Sequence, residues 1–458
     1  MAQYKMITLF AVAILFSACD FSKKEAPKAT PYPEWVKNSV IYEVNTRQYS
    51  PEGTFKAIQT DLPRIKALGI DILWFMPIYP IGVEGRKVPE GAKTSLGSYY
   101  SIRDYKAINP EFGTDEDFKS LVIEAHTMGF KVIIDWVANH TSRDHDWVKN
   151  HFDWYKKDAK GNIATPFDWT DCAQLDYSNK ELRKTMIKSM NYWLKNFGID
   201  GFRCDMAGLV PTDFWEEART ELQQIKPIFM LAENEDKPEL CNIAFDSNYG
   251  WEMHHLMHAI AQGKKTANEI LNLQTKIDTS LPQRAFKLNF ITNHDENSWN
   301  GTAKEKFGKG EKSCAVLTYT LPGMPLIYNG QEAGMTKRLR FFAKDTISFK
   351  DTLMFPFYRT MNYLKHRNKA LWNPPFGGKL VPLTNNAPEK IVSFLRSSEN
   401  ARVMVLINMS PDTITTTITT PIADGKYINV FNKNKINFNS DNRKCYFEPW
   451  EYLVLEGE

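Results

Sequence analysis

Several absences narrow the field first. None of the six cysteines stands in a CxxC pair, so neither a zinc ribbon nor a dithiol redox motif is written into the chain. Charge of one sign is also missing. The 57 basic residues nearly cancel the 54 acidic ones, for a formal +3, which leaves no electrostatic footprint for nucleic acid. The longest apolar run, Met6 to Phe16, is about half the roughly 20 residues that a membrane-spanning helix needs. No glycine-rich dinucleotide loop follows the first expected strand, which counts against an open, doubly wound sheet.

What remains is a chain of 458 residues, enough for a large domain and a smaller one, with 13 % aromatic residues. Aromatics fill cores, and they also stack on the apolar faces of sugars. After the first 34 residues, strand and helix patterns alternate. Strands are expected at Ser39 to Asn45, Ile70 to Met76, Lys131 to Asp135, up to Asp205, up to Glu233, Asn242 to Asp246, Lys287 to Thr292 and Met324 to Tyr328. Helical or loop material follows each one. Gly69 and Gly129 stop the first two helices, and Thr114 with Asp115, Glu116 and Asp117 opens the second. Such alternation requires a parallel sheet with right-handed crossovers, and eight units over residues 35–370 predict a closed (β/α)8 barrel.

The segment at about 140–177 breaks the rhythm. It is polar and aromatic, and too long for an ordinary loop, so it is expected to be an inserted subdomain. Beyond about 380 the period changes to two, which predicts a C-terminal antiparallel β domain over 380–458, packed on the barrel as a sandwich.

Four apolar runs end in acids. Lys131-Val-Ile-Ile runs into Asp135, with Asn139 and His140 beyond, and Gly201-Phe-Arg203-Cys ends at Asp205. Ile228-Phe-Met-Leu-Ala meets Glu233, and Leu288 to Thr292 meets Asn293-His294-Asp295. Functional groups of a (β/α)8 barrel lie at the C-terminal strand ends, so these acids are expected around one pocket. Paired carboxylates there suit glycosidic cleavage, with one as general acid and one as nucleophile. Arg203 shares a strand face with Asp205 two residues on, placed to hold that carboxylate ionised.

Together these four segments resemble the ordered signature regions of the α-amylase family, glycoside hydrolase family 13. Gly97-Ser-Tyr-Tyr100-Ser-Ile-Arg-Asp104 and Gly323-Met-Pro-Leu-Ile-Tyr328-Asn-Gly-Gln-Glu332 support the match. The resemblance implies Asp205 as nucleophile, Glu233 as general acid/base and Asp295 as the stabiliser of the transition state. It implies substrate-binding roles for Tyr100, Asp135, His140, Arg203 and His294. It further implies a retaining hydrolase of α-glucosidic, chiefly α-1,4, bonds in starch-derived or malto-oligosaccharides. A glucanotransferase or a trehalose- or sucrose-type isomerase of the same family is the alternative. A non-catalytic glycan-binding relative is disfavoured because all three carboxylates are present.

Two departures bear on substrate and metal. Many starch-degrading members carry Lys and His three and four positions after the nucleophile, where this chain has Gly208 and Leu209. Asn139 matches a residue that often binds calcium, but its usual acidic partner aligns with Gln174. Calcium prefers charged oxygen ligands, so no cofactor is required and calcium is doubtful. Finally, Lys5, the apolar run and Phe16-Ser-Ala-Cys19 resemble a bacterial lipoprotein signal over 1–18. Cys19 would be the lipidated residue and 19–34 a polar tether, which places the enzyme, exported, at a bacterial membrane.

Overall fold

The computed structural model describes residues 33–458. The segments expected to be the signal, Cys19 and most of the tether lie outside these described residues.

Eight parallel strands close into a barrel: β1 (Ile41–Val44), β2 (Ile72–Phe75), β3 (Lys131–Val137), β4 (Gly201–Asp205), β5 (Phe229–Ala232), β6 (Ser247–Tyr249), β7 (Phe286–Asn289) and β8 (Met324–Tyr328). They neighbour one another in chain order, and β8 pairs with β1 to leave no edge. Period two decides what each strand puts inside. Ile41, Ile72, Trp74, Ile133, Phe229, Leu231, Phe286 and Leu288 fill the barrel interior, while Tyr42, Leu73, Val132, Phe202 and Cys204 face the helices. The same parity sends Glu43, Asp135, Arg203 and Asp205 inward. Gly201 opens β4 where a Cβ would stand 1.9 Å from the Phe229 carbonyl oxygen, so only glycine lets β4 and β5 close up there.

Helices α1 (Phe55–Leu68), α2 (Asp115–Thr127), α3 (Lys180–Phe197) and α4 (Thr212–Gln223) follow β1 to β4. Thr114 caps α2 in a reciprocal box with Asp117, as its sequence predicts. After β5 there is only the single 3-10 turn Pro238–Cys241. Two helices, α5 (Trp251–Ala261) and α6 (Asn268–Ser280), separate β6 from β7. Then α7 (Glu311–Thr320) and α8 (Phe355–Arg367) complete the ring.

Two strands differ from expectation. The sixth is Ser247–Tyr249 rather than Asn242 to Asp246, because Asp246 is drawn outward into a buried pair with Arg219 at 2.8 Å. The seventh stops at Asn289, so Asn293 sits on the following loop and His294 and Asp295 open the helical turn that leads into Glu296–Asn300. The segment after β3 folds around a two-stranded antiparallel ribbon, His140–Ser142 against Cys172–Gln174. The five cysteines among the described residues are all free, and Cys204 is a buried apolar filler on β4.

The C-terminal part carries eight strands. They are β9 (Lys379–Pro382), β10 (Ile391–Ser398), β11 (Ala401–Asn408), β12 (Ile414–Thr417), β13 (Gly425–Asn429), β14 (Lys435–Phe438), β15 (Lys444–Phe447) and β16 (Tyr452–Gly457). Six form one sheet in the order β9-β10-β11-β16-β13-β14, and β12 pairs with β15. Arg396, fully buried, fastens this domain to the barrel by donating to the carbonyls of Thr320, Trp372 and Gly378.

Candidate active site

At the C-terminal mouth of the barrel one guanidinium gathers the acids. Arg203 Nη1 lies 2.9 Å from Asp135 Oδ1 and 3.0 Å from Asp205 Oδ1, and Nη2 lies 2.9 Å from Glu233 Oε1. Its Nε donates to the Tyr249 hydroxyl at 3.0 Å, and its plane is 5.0 Å from the Trp74 ring. No part of Arg203 is exposed. Asp135 also accepts from Trp74 Nε1 and from the Tyr100 hydroxyl.

His294 forms the second charged centre. Its Nδ1 faces Glu43 Oε1 at 2.5 Å, and its Nε2 faces the Tyr100 hydroxyl at 2.7 Å and Asp295 Oδ2 at 3.3 Å. Burial works against its charge, but Asp295 and Glu43 outweigh burial and push its pKa up to about 9. The imidazolium therefore persists through neutral pH and donates to both sides. His140 is the opposite case: burial brings it down to about 4, so it is neutral. Its Nε2–H donates to the Tyr100 carbonyl, and its Nδ1 accepts from the Asn139 amide. The ring thus anchors Tyr100 from behind.

Asp205 and Glu233 are held side by side by Arg203. Burial, then the charge of Glu233, raises Asp205 well above the usual carboxylate range. Burial also pushes Glu233 up, but Arg203, the Met206 N–H at 2.8 Å and His294 outweigh it and leave its carboxyl below normal. Glu233 receives a backbone donor, the Met206 N–H, in addition to Arg203. That donor exists because Met206 adopts a left-handed backbone at φ 44°, an uncommon state for a non-glycine residue.

Asp205, Glu233, His294, Asp295, Tyr100 and His140 all line one cavity of about 480 Å³. Asp135 and Arg203 lie beneath it, touching its floor through Tyr100, Asp205 and Glu233. Asn139 stands apart from the cavity lining, behind His140. Glu43, Trp74, Tyr249, Trp299 and Phe341 join the site although none belongs to a motif that pointed to it. Glu43 had a signal, an acid at an interior-parity position inside an apolar strand. Trp299 and Phe341 had none, since only folding brings their loops to the mouth. Gly208 is fitted closely: a Cβ there would stand 2.3 Å from Asn234 Nδ2. Lys237, from the next loop, donates to the Gly208 carbonyl at 2.7 Å, and Leu209 remains exposed beside it.

Asn139 is the candidate calcium ligand. Its amide donates to His140, the paired ribbon residue Gln174 is neutral, and no group of three His, Cys, Asp or Glu side chains suited to a metal gathers among the described residues. Calcium takes six to eight oxygens, several of them charged.

A closed eight-stranded barrel with paired carboxylates at its strand ends is the frame of a carbohydrate-cleaving enzyme. The α-amylase catalytic domain matches residues 30–362, and the α-amylase C-terminal all-beta domain matches 383–449. The chain belongs to the α-amylase family of glycoside hydrolases. It is 25 % identical over 401 residues to the alpha-amylase MalA of Haloarcula japonica, a match covering 84 % of this chain and 58 % of that relative's length. Among solved structures, a noncanonic maltogenic alpha-amylase AmyB from Thermotoga neapolitana superposes with a TM-score of 0.83 at 32 % identity, over 92 % of this chain and 99 % of that one. An alpha-amylase from Lactobacillus plantarum gives 0.80 at 30 %, over 93 % and 100 %.

Two outcomes follow from this geometry. The charged His294 is present below about pH 9 and lost above it, so turnover should fall on an alkaline limb centred there. Glu43→Gln removes one of the carboxylates that raise it, and should move that limb down by about one pH unit. A limb that stays in place in the kcat/KM profile would contradict the assignment. Separately, exhaustive chelation should leave most activity and lower Tm only slightly. Complete inactivation reversed by calcium would show a metal site elsewhere in the fold.

Proposed function

We propose that the protein is a retaining α-glucan hydrolase that cleaves α-glucosidic, chiefly α-1,4, bonds in malto-oligosaccharides or other starch-derived chains. The observation that carries this is that one guanidinium holds both carboxyl groups side by side, with Arg203 Nη1 3.0 Å from Asp205 Oδ1 and Nη2 2.9 Å from Glu233 Oε1. Inverting enzymes separate their carboxyl groups by roughly 6.5 Å or more to admit a water, whereas retaining ones keep them close. The names of the relatives, α-amylases among them, support an α-glucan as the substrate.

In the first step the Asp205 carboxylate attacks the anomeric carbon while Glu233 gives its proton to the glycosidic oxygen. The C–O bond breaks and a glycosyl ester forms. For this step Glu233 carries the proton and Asp205 is the free carboxylate. A glycosidic oxygen lodged against Glu233 supplies an acceptor that favours the protonated acid, and Arg203 stabilises the Asp205 carboxylate. In the second step Glu233, now a carboxylate, takes a proton from water. The resulting oxygen attacks the same carbon, the ester breaks, and an α-configured hemiacetal leaves. Asp295 beside His294 supplies negative charge against the positively charged sugar of the transition state.

Gly208 and Leu209 support soluble oligosaccharides over granules, since the leaving side lacks the Lys and His of many starch degraders. The lipoprotein-like start supports tethering of the exported enzyme to a bacterial membrane through Cys19.

Asp205→Asn should abolish turnover, because an amide cannot form the ester. Glu233→Gln should be nearly as damaging on maltoheptaose and milder on glycosyl fluorides, whose leaving group needs no proton. Asp205→Asn running near the wild-type rate would refute the roles. For the tether, Cys19→Ser should release the protein from the membrane fraction; a protein soluble before the change, or membrane-bound after it, would refute anchoring.

A further inference from the structure

The cavity has one tall side and one low side. Glu233, as the acid, faces the leaving oxygen, so the leaving sugars lie over Met206, with Gly208 and Leu209 following it in the chain outside the cavity lining. There the connections are short: Met206–Pro211 after β4, and Gly250 alone between β6 and α5. On the opposite side stand Tyr100 and His294, and the connections after β2 (76–114) and β8 (329–354) are long. In the closed barrel β1 lies between β8 and β2, so these two long loops flank it.

They meet above β1 and are fastened there. Arg47, in the single turn Thr46–Tyr49 that follows β1, is 2 % exposed. Its Nη1 donates to the carbonyls of Gly97 at 3.1 Å and Phe341 at 3.2 Å, and Nη2 donates to Leu96 at 3.3 Å. Its guanidinium lies 4.1 Å from the centre of the Tyr99 ring. The Leu96 N–H donates straight across to the Phe342 carbonyl at 2.8 Å. Gln48, fully buried, holds the same loop by donating to Arg340 and Ala343 and accepting from the Asp345 N–H. Towards the cavity this seam presents Phe341 and Phe342. Trp299 packs on both, at 5.1 and 6.0 Å between ring centres, and Phe341 stacks at 12° on Tyr100.

We infer that the Arg47 seam, faced by Phe341, Phe342 and Trp299, closes the glycone end of the cleft, so that the enzyme works from chain ends and releases short units. The inference rests on the assignment of Asp205 and Glu233 above. In an α-1,4 chain the leaving group keeps the reducing end, so the glycone side carries the non-reducing terminus. A chain cut internally would have to continue out past Tyr100, through backbone hydrogen bonds gathered on a buried arginine. Opening them would strand several buried donors and carbonyls at once. The aromatic face instead receives the terminal glucosyl unit against flat apolar surface. The open side, over Gly208 and Leu209, admits the rest of the chain.

The test compares maltoheptaose carrying a reducing-end p-nitrophenyl group with the same compound blocked by a 4,6-O-ethylidene bridge on the non-reducing glucose. Products are followed by mass spectrometry. The expected result is a loss of about 100-fold or more in kcat/KM on the blocked compound, with one short sugar as the first product from the unblocked one. Cleavage of both at similar rates, with mixed internal fragments, would overturn the closed end while leaving hydrolysis intact. Cleavage of neither would overturn the Asp205 and Glu233 assignment, and the inference with it. The double variant Phe341→Ala, Phe342→Ala, both residues part-exposed, should recover about tenfold or more on the blocked compound. No recovery, in a variant that still cleaves the unblocked compound, would show that the seam is not the barrier.

Discussion

Everything at the mouth of the barrel depends on a single buried cation. Asp135, Asp205 and Glu233 all lie within 3.0 Å of Arg203, and Asp295 and Glu43 add two more acids close by. Carboxylates packed this densely away from water would take up protons and lose their chemistry. Arg203 offsets much of that for Asp135, Asp205 and Glu233, and His294 does so for Glu43 and Asp295. A retaining hydrolase needs both a carboxylate and a carboxylic acid within this crowded set. Losing one member of such a buried set typically costs about 3–5 kcal/mol, because its partners stay buried and unpaired.

The barrel makes this arrangement possible through parity. Strand side chains alternate, so Arg203 and Asp205 share the interior face of β4, and Asp135 meets Arg203 in register across β3 and β4. Trp74, Tyr100 and Tyr249 surround Arg203 with aromatic surface that keeps water out and strengthens every ion pair inside. The ring of long loops then determines which sugars reach the acids.

Much of this was legible in the sequence for physical reasons. Buried parallel strands read as apolar runs, so the barrel and the acids at its strand ends could be placed from pattern alone. The sixth strand was misplaced because Ile243-Ala-Phe245 is as apolar as a strand but packs in the outer core behind it. The seventh was drawn too long because Phe290 and Ile291 continue the apolar pattern after the ladder has ended. In the C-terminal domain, Lys435–Phe438 and Lys444–Phe447 are exposed on alternate residues and rich in polar side chains. They pair as strands because neighbouring strands offer an edge, not because their own composition demands it. Glu43 and the Arg47 contact to Phe341 are not legible for a different reason: Glu43 meets His294 across 251 residues and Arg47 meets Phe341 across 294, separations that only the closed barrel spans.

The central claim is that Asp205, held by Arg203, bonds covalently to the sugar. A 5-fluoroglycosyl fluoride forms such an ester quickly and hydrolyses it slowly, so the intermediate accumulates. Intact mass followed by peptide mapping locates the sugar. The account predicts one glycosyl unit on the peptide containing Gly201-Phe-Arg-Cys-Asp205, attached at Asp205. A label on Glu233, or fluoride release with no label on the protein at any time, would contradict it.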